Sequence, residues 1–303
     1  MQTLYKLTRK RRAFSSTQKL AIAKQIKSIS SEELLQDFQR LTTLEKAGDG
    51  NRTGNNVVDY FTFPQRLETI GNKHISFFDF WQNKAILKKP YIKSFIKNNY
   101  VITPANRAKV YYRVFSLYYG SINVFRPLNA MDIYRRFPCK IAVLDFTMGW
   151  GGRLVGACAV QIPKYIGIDS NLSLRKPYEN MKLFLESQAK TKIELYFEDA
   201  LNIDYSSLRY DLVLTSPPYY NLEGYENQKV RSKENWRDEF YIPLFRETFR
   251  FLQLGGHYCL NVPEELYTSV CLPLFGECKH IIPLKVRYRS PKYSENVYVW
   301  KKD

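Results

Sequence analysis

Asp211-Leu212-Val213-Leu214-Thr215-Ser216-Pro217-Pro218-Tyr219-Tyr220-Asn221-Leu222 runs a short apolar stretch straight into two prolines and two tyrosines. Asp211 to Leu214 suits a buried strand. Proline ends it, having no N–H for a sheet ladder and holding its predecessor extended. Ser216-Pro217-Pro218 therefore predicts a rigid turn whose carbonyls can accept from a ligand. Such acceptors beside the Tyr219 ring suit a flat, amino-bearing heterocycle held by hydrogen bonds and stacking. Ligands of open α/β sheets bind at the carboxyl ends of strands, where this turn would lie.

Working outward, Ala142-Val143-Leu144-Asp145 reads as another buried strand. Phe146-Thr147-Met148-Gly149-Trp150-Gly151-Gly152 then turns into an apolar helix reaching about Val160, its glycines letting backbone pass close to a ligand. Tyr165-Ile166-Gly167-Ile168-Asp169 is a third strand, ending in a carboxylate whose oxygens can accept from both hydroxyls of a ribose. Ile193 to Ala200 is a fourth, ending in Glu198-Asp199, where Asp199 is either a ligand or the cap of the next helix. The Gly149-Trp150-Gly151-Gly152 turn also suits a phosphate, but lacks the Gly-Xaa-Gly-Xaa-Xaa-Gly spacing of a dinucleotide site. Upstream, Arg126-Pro127 opens a helix with Leu128, Met131 and Tyr134 on one face. Downstream, helical spacing from Trp236 to Leu254, with a kink or start at Pro243, leads through Gly255-Gly256 to a strand at His257–Val262. Lys285–Tyr288 with Asn296–Trp300 is expected to close the sheet as an antiparallel pair.

Ser216-Pro217-Pro218-Tyr219 resembles the Ser/Asp/Asn-Pro-Pro-Tyr/Phe signature of S-adenosylmethionine-dependent methyltransferases that act on exocyclic base amines, in the version most typical of cytosine-N4 DNA enzymes. Their cofactor loop is written Asp-Pro-Phe-Xaa-Gly-Ser-Gly-Thr. Asp145, Gly149 and Gly151 match it, while Phe146, Thr147, Trp150 and Gly152 depart. Thr147 replaces the ring that helps wall the family's pocket, and Phe146 or Trp150 is the candidate substitute. The likeness covers roughly Phe125 to Asp303, and Arg126-Pro127-Leu128 is similar to the helix preceding the loop in part of the family.

The resemblance implies a Rossmann-like α/β sheet of about seven strands. It also implies S-adenosylmethionine bound by Asp145, Gly149, Gly151, Asp169 and Asp199, with Asp169 at the ribose and Asp199 at the adenine amine. Ser216 and the Pro217 carbonyl would accept from the target amine, Pro218 would stiffen the turn and Tyr219 would stack on the flipped base, with no metal required. Cytosine N4 in DNA is the preferred target. Adenine N6, an RNA base and a catalytically silent nucleic-acid-binding subunit are the alternatives. Nothing in the sequence designates a restriction-enzyme partner.

Composition agrees with a polyanionic partner: 46 Lys and Arg against 29 acids leave a net charge of +17. Hydrophobic residues at 45% suffice for an ordinary core, no apolar run approaches a membrane span, and the expectation is a soluble, intracellular chain. The five cysteines are scattered and expected to be reduced, and the three histidines lie far apart, so no zinc pattern arises. The one Pro-Cys pair, Pro138-Cys139, precedes the first strand, away from any place where a thiolate nucleophile for carbon-5 methylation is expected.

Three segments follow. Residues 1–54 hold a basic run, Lys6 to Arg12, a helical stretch from Gln18 to Leu44 with Leu20, Ile22, Ile26, Ile29, Leu34, Leu35 and Phe38 as candidate buried positions, and a linker at Ala47–Asn56. Residues 55–122 interleave aromatics with cations, a candidate substrate-recognition region in which most rings are nonetheless expected in a core. Residues 123–303 form the methyltransferase-like domain.

Overall fold

The computed structural model describes residues 14–45, 51–71, 73–220, 232–284 and 295–303; the basic run at Lys6–Arg12 and the Lys285–Tyr288 segment lie outside them. The stretch expected as one helix from Gln18 to Leu44 is two, α1 (Ser16–Ile26) and α2 (Ser31–Thr43). Ser30 starts the second: its hydroxyl accepts from the Glu33 N–H at 3.1 Å while the Glu33 carboxylate accepts from the Ser30 N–H at 2.8 Å. Of the candidate buried positions, Leu34 and Phe38 are in the core, whereas Leu20 is 45% exposed.

The next helices are α3 (Asn55–Glu68), α4 (Phe77–Gln82), α5 (Lys84–Leu87), α6 (Pro90–Asn99) and α7 (Arg107–Tyr118). Their rings pack on one another, with Phe77 5.6 Å and Phe80 5.5 Å from Phe115, so most of the aromatics here form a local core. Val57 and Val58 of α3, with Leu34, Phe38 and Leu41 of α2, turn instead into the core of the following α/β unit.

That unit begins with α8 (Pro127–Arg136), whose proline sits in the first turn, then β1 (Val143–Asp145), α9 (Gly152–Ala159), β2 (Lys164–Ile168), α10 (Arg175–Gln188), β3 (Lys192–Tyr196) and β4 (Leu212–Thr215). It continues through α11 (Lys233–Trp236), a π-helical turn at Arg237–Tyr241 and α12 (Ile242–Arg250) to β5 (His257–Val262), β6 (His280–Leu284) and β7 (Glu295–Lys301). The seven strands lie in the order β3-β2-β1-β4-β5-β7-β6. The first five are parallel neighbours and β7 runs antiparallel to both β5 and β6. This is the expected Rossmann-like α/β sheet of seven strands.

The sixth strand is His280–Leu284, just ahead of the Lys285–Tyr288 segment expected to pair with Asn296–Trp300; Pro283 is tolerated in it because at the sheet edge a missing donor costs no ladder bond on the open side. Successive strand residues feed opposite faces. Val143 and Tyr165 join the core under α8, α9 and α10, while Leu144 and Ile166 join the one under α12. Gly152 and Gly156 let α9 lie against the chain entering α8. A Cβ on Gly152 would fall 1.8 Å from the Phe125 carbonyl oxygen, and one on Gly156 2.6 Å from that of Pro127. Packing alone therefore requires glycine at 152.

Candidate active site

Because β1, β2, β3 and β4 run parallel and the strand order reverses at β1 and β4, the loops after them gather at the carboxyl end of the sheet. Asp145, at the end of β1, is fully buried. Its Oδ2 accepts from Arg153 Nε at 2.7 Å and Tyr165 OH at 2.6 Å, and its Oδ1 from the Thr215 hydroxyl at 2.9 Å. Arg153 also donates to the Thr147 carbonyl. Burial opposes the Arg153 charge, but the attraction of Asp145 outweighs it and holds the guanidinium above its usual range. Asp145, expected at the cofactor, thus faces inward and fixes the loop to β2, β4 and α9.

The glycine turn is fixed from outside as well. Gly149 (φ 57°) donates its N–H to Asp169 Oδ2 at 2.9 Å, and the Tyr178 hydroxyl donates to the Met148 and Gly149 carbonyls at 3.0 Å each. Gly151 (φ 95°) caps α9, and a Cβ there would come within 2.7 Å of Met181. Asp169 receives a second backbone donor, Asn171 N–H, at 2.9 Å on Oδ1. Those two bonds leave about two of a carboxylate's four acceptor positions, enough for two hydroxyls. Burial is the largest influence on Asp169 and pushes its pKa up to about 6, against the lowering effect of the two N–H donors. At the end of β3, Asp199 caps the short turn Ala200–Asn202 by accepting from Leu201 N–H at 3.0 Å. Here the capping alternative is realised on one carboxylate oxygen.

The two loops of interest meet directly. Thr147, which stands where the family has a ring, has its hydroxyl 2.7 Å from that of Thr215, the residue before Ser216. Neither candidate substitute ring replaces it: Phe146 is buried against Phe245 and Tyr258 under the sheet, and Trp150 lies in the core on the other face.

Ser216-Pro217-Pro218-Tyr219 is held by two residues that sequence reasoning missed. Ser216 Oγ donates to Asn261 Oδ1 at 3.0 Å, and the Tyr219 hydroxyl reaches the same oxygen at 2.9 Å and the Asn261 carbonyl at 3.0 Å. Asn261 is oriented in turn by its bond to the Asn296 carbonyl at 3.0 Å. The Tyr241 hydroxyl donates to the Pro218 carbonyl at 2.6 Å and accepts from Tyr220 N–H at 3.0 Å, holding Tyr220 at φ 52°. Among the described residues no donor reaches the Pro217 carbonyl. A polar Asn261 inside the otherwise apolar His257–Val262 strand was a readable signal. Tyr241, on a π-helical turn of the kind that recurs at functional sites, had none.

An open cleft lined by Arg136, Phe137, Lys279, His280, Ile281 and Ile282 lies at the other, amino end of the strands, where the Phe137 ring is 4.9 Å from His257. Among the described residues no three His, Cys, Asp or Glu side chains are grouped to hold a metal ion, and no helix is long and apolar enough to cross a membrane.

No protein-family model and no curated protein matches the chain. Similar solved structures include TehB from Haemophilus influenzae, at 13% identity and a TM-score of 0.41 over 63% of this chain and 66% of that one. An rRNA methylase from Streptococcus thermophilus has 12% identity and a TM-score of 0.41 over 60% of this chain and 99% of its own. Trm5 from Methanocaldococcus jannaschii, solved with adenosine, has 13% identity and a TM-score of 0.42 over 59% of this chain and 49% of its own. The chain thus spans about half the length of Trm5. The fold is therefore read from the strand order, and the functional reading rests on the geometry of the site.

Proposed function

We propose that this chain transfers a methyl group from S-adenosylmethionine to an exocyclic amine of a nucleic-acid base, with cytosine N4 in DNA as the preferred target. The observation that carries the reading is the rigid Ser216-Pro217-Pro218-Tyr219 turn at the carboxyl end of β4, joined through Thr215 and Thr147 to the glycine turn after β1.

The residues present fit the cofactor. Gly149 is half-buried and a Cβ there would meet nothing closer than 3.8 Å, so the packing that excludes a side chain at Gly151 and Gly152 does not close the turn at this position. Asp169 retains acceptor capacity beside it, and Asp199 stands at the end of the next strand. When bound, S-adenosylmethionine would supply a methyl group already activated by its sulfonium. Ser216 Oγ donates a hydrogen bond to Asn261 and lies 3.0 Å from the Tyr219 hydroxyl, which still leaves a lone pair on its oxygen for an amine N–H, and the Pro217 carbonyl offers a second acceptor. Two acceptors on one side of the amine turn its lone pair to the other, and Tyr219 is the ring on which an extruded base stacks. The surplus proton of the methylated amine leaves to solvent.

Asp169→Ala is expected to weaken S-adenosylmethionine binding by about 1.5–3 kcal/mol, the range for hydrogen bonds to a charged acceptor. In the unmodified chain, affinity should fall as pH drops through about 6, where the carboxylate is protonated, and an Asp169→Asn variant should lose that dependence. Stability runs the other way. The folded pKa lies above the unfolded one, so the folded state holds the proton more tightly and loses stability as pH rises from about 4 to about 6. Titration calorimetry around pH 6 checks the binding; a flat profile in the unmodified chain removes Asp169 from the ribose.

A catalytically silent nucleic-acid-binding subunit is the second reading, supported by the inward-facing Asp145 and by Thr147 in place of a ring. Incubation with labelled S-adenosylmethionine and matched DNA and RNA, followed by nucleoside analysis, separates the readings. N4-methylcytosine in DNA is the expected product. N6-methyladenine or label in RNA alone would move the target, and cofactor binding without transfer would favour the silent subunit.

A further inference from the structure

Between Asp79 and Asp132 the chain carries nine Lys and Arg residues and no acid. The fold sorts this segment: most of its rings turn inward, while Lys88, Lys89, Lys93 and Lys97, on the turn before α6 and on α6 itself, are exposed. Lys93 and Lys97 are four residues apart and so share one helix face. Among the described residues none of the four forms an ion pair. A solvated face of a globular domain ordinarily mixes both signs. One ring stays out among these cations: Tyr91 is 49% exposed, with the Lys89 ammonium 5.9 Å from its centroid and the Tyr118 ring at 5.2 Å holding it in place.

We propose that this corner of α6 and α7 is a platform for an unpaired stretch of nucleic acid, with Lys88, Lys89 and Lys93 neutralising phosphates and Tyr91 stacking on a base. The proposal rests on the nucleic-acid substrate reading and adds where the strand is gripped. A half-exposed ring among cations that no carboxylate neutralises is what single strands are held by, since stacking tolerates any base and needs that base out of a duplex. The platform is also tied to the site. From Tyr118 at the end of α7, seven residues spanning at most about 25 Å reach Phe125, whose ring lies 5.3 Å from Arg153 beneath the glycine turn.

The test uses the full chain and a labelled single-stranded oligonucleotide. The triple variant Lys88→Gln, Lys89→Gln, Lys93→Gln is expected to flatten the log–log salt dependence of binding by about 2, at about 0.7 per lost phosphate contact. Tyr91→Ala should lower affinity about 5- to 150-fold with the slope unchanged. Both changes are at exposed positions, and S-adenosylmethionine affinity should stay as it was. Unchanged affinity and slope in both variants overturn the platform. Binding to phosphatidylserine vesicles that the triple variant abolishes, with oligonucleotide binding untouched, assigns the surface to a membrane and also overturns it. A chain that grips the oligonucleotide here yet transfers no methyl group sinks the methyltransferase reading alone, whereas methyl transfer with an unaltered salt slope sinks the platform alone.

Discussion

Asp145→Ala is expected to destabilise the fold by about 3–5 kcal/mol, the cost of leaving a buried charge without its partner. The Arg153 guanidinium is buried with Asp145 as its only ion-pair partner among the described residues, at 2.7 Å, and the same carboxylate satisfies the hydroxyls of Tyr165 and Thr215. One side chain therefore holds β1, β2, β4 and α9 together under the glycine turn. A second variant, Asp145→Ala with Arg153→Met, separates the charge from the packing. Replacing both members of a buried pair by apolar groups is often near neutral, so much of the lost stability should return. Denaturant unfolding decides it. A loss below about 1 kcal/mol for the single variant would place the pair among weak surface-like contacts and return Asp145 to the list of candidate cofactor ligands.

Why the sequence announced some of this and not the rest follows from the range of each signal. Strands that end in acids at Asp145 and Asp169, the glycines with positive φ at 149 and 151, and the proline turn after β4 are local patterns, and they stand where they were expected. The capping box at Ser30–Glu33 was equally local, but apolar recurrence on both sides of it reads as one long helix unless the box is given priority. The partner of the last strand was expected at Lys285–Tyr288, whereas β6 is His280–Leu284 with Pro283 inside it, which an edge tolerates, and edge position is a property of the whole sheet. Direction is the harder matter. An acid at a strand end can face a ligand or the core, and only the arrival of Arg153, Tyr165 and Thr215 turns Asp145 inward. Asn261 and Tyr241 reach the proline turn from 42 and 23 residues away, beyond any spacing rule.

Those two distant partners shape the other large effect. Ser216→Ala removes an amine acceptor and is expected to lower the methyl-transfer rate about a hundredfold, the scale for misplacing a reacting group by about 1 Å, with S-adenosylmethionine affinity nearly unchanged. Tyr219→Ala removes a stacking surface of roughly 1–3 kcal/mol per base and should act mainly through nucleic-acid KM. Tyr219→Phe is the discriminating variant. It keeps the ring but cuts the hydroxyl's bonds to Asn261 at 2.9 and 3.0 Å and to Ser216 Oγ at 3.0 Å, so a turnover loss there reports that the hydroxyl orients the turn rather than that the ring touches the base. Asn261→Ala should resemble Ser216→Ala and Tyr219→Phe combined, because one amide anchors both hydroxyls. Rates are measured at saturating cofactor and limiting nucleic acid. If Ser216→Ala and Tyr219→Ala both transfer methyl groups at the unmodified rate, the proline turn is only a structural end to β4, and the silent-subunit reading takes precedence.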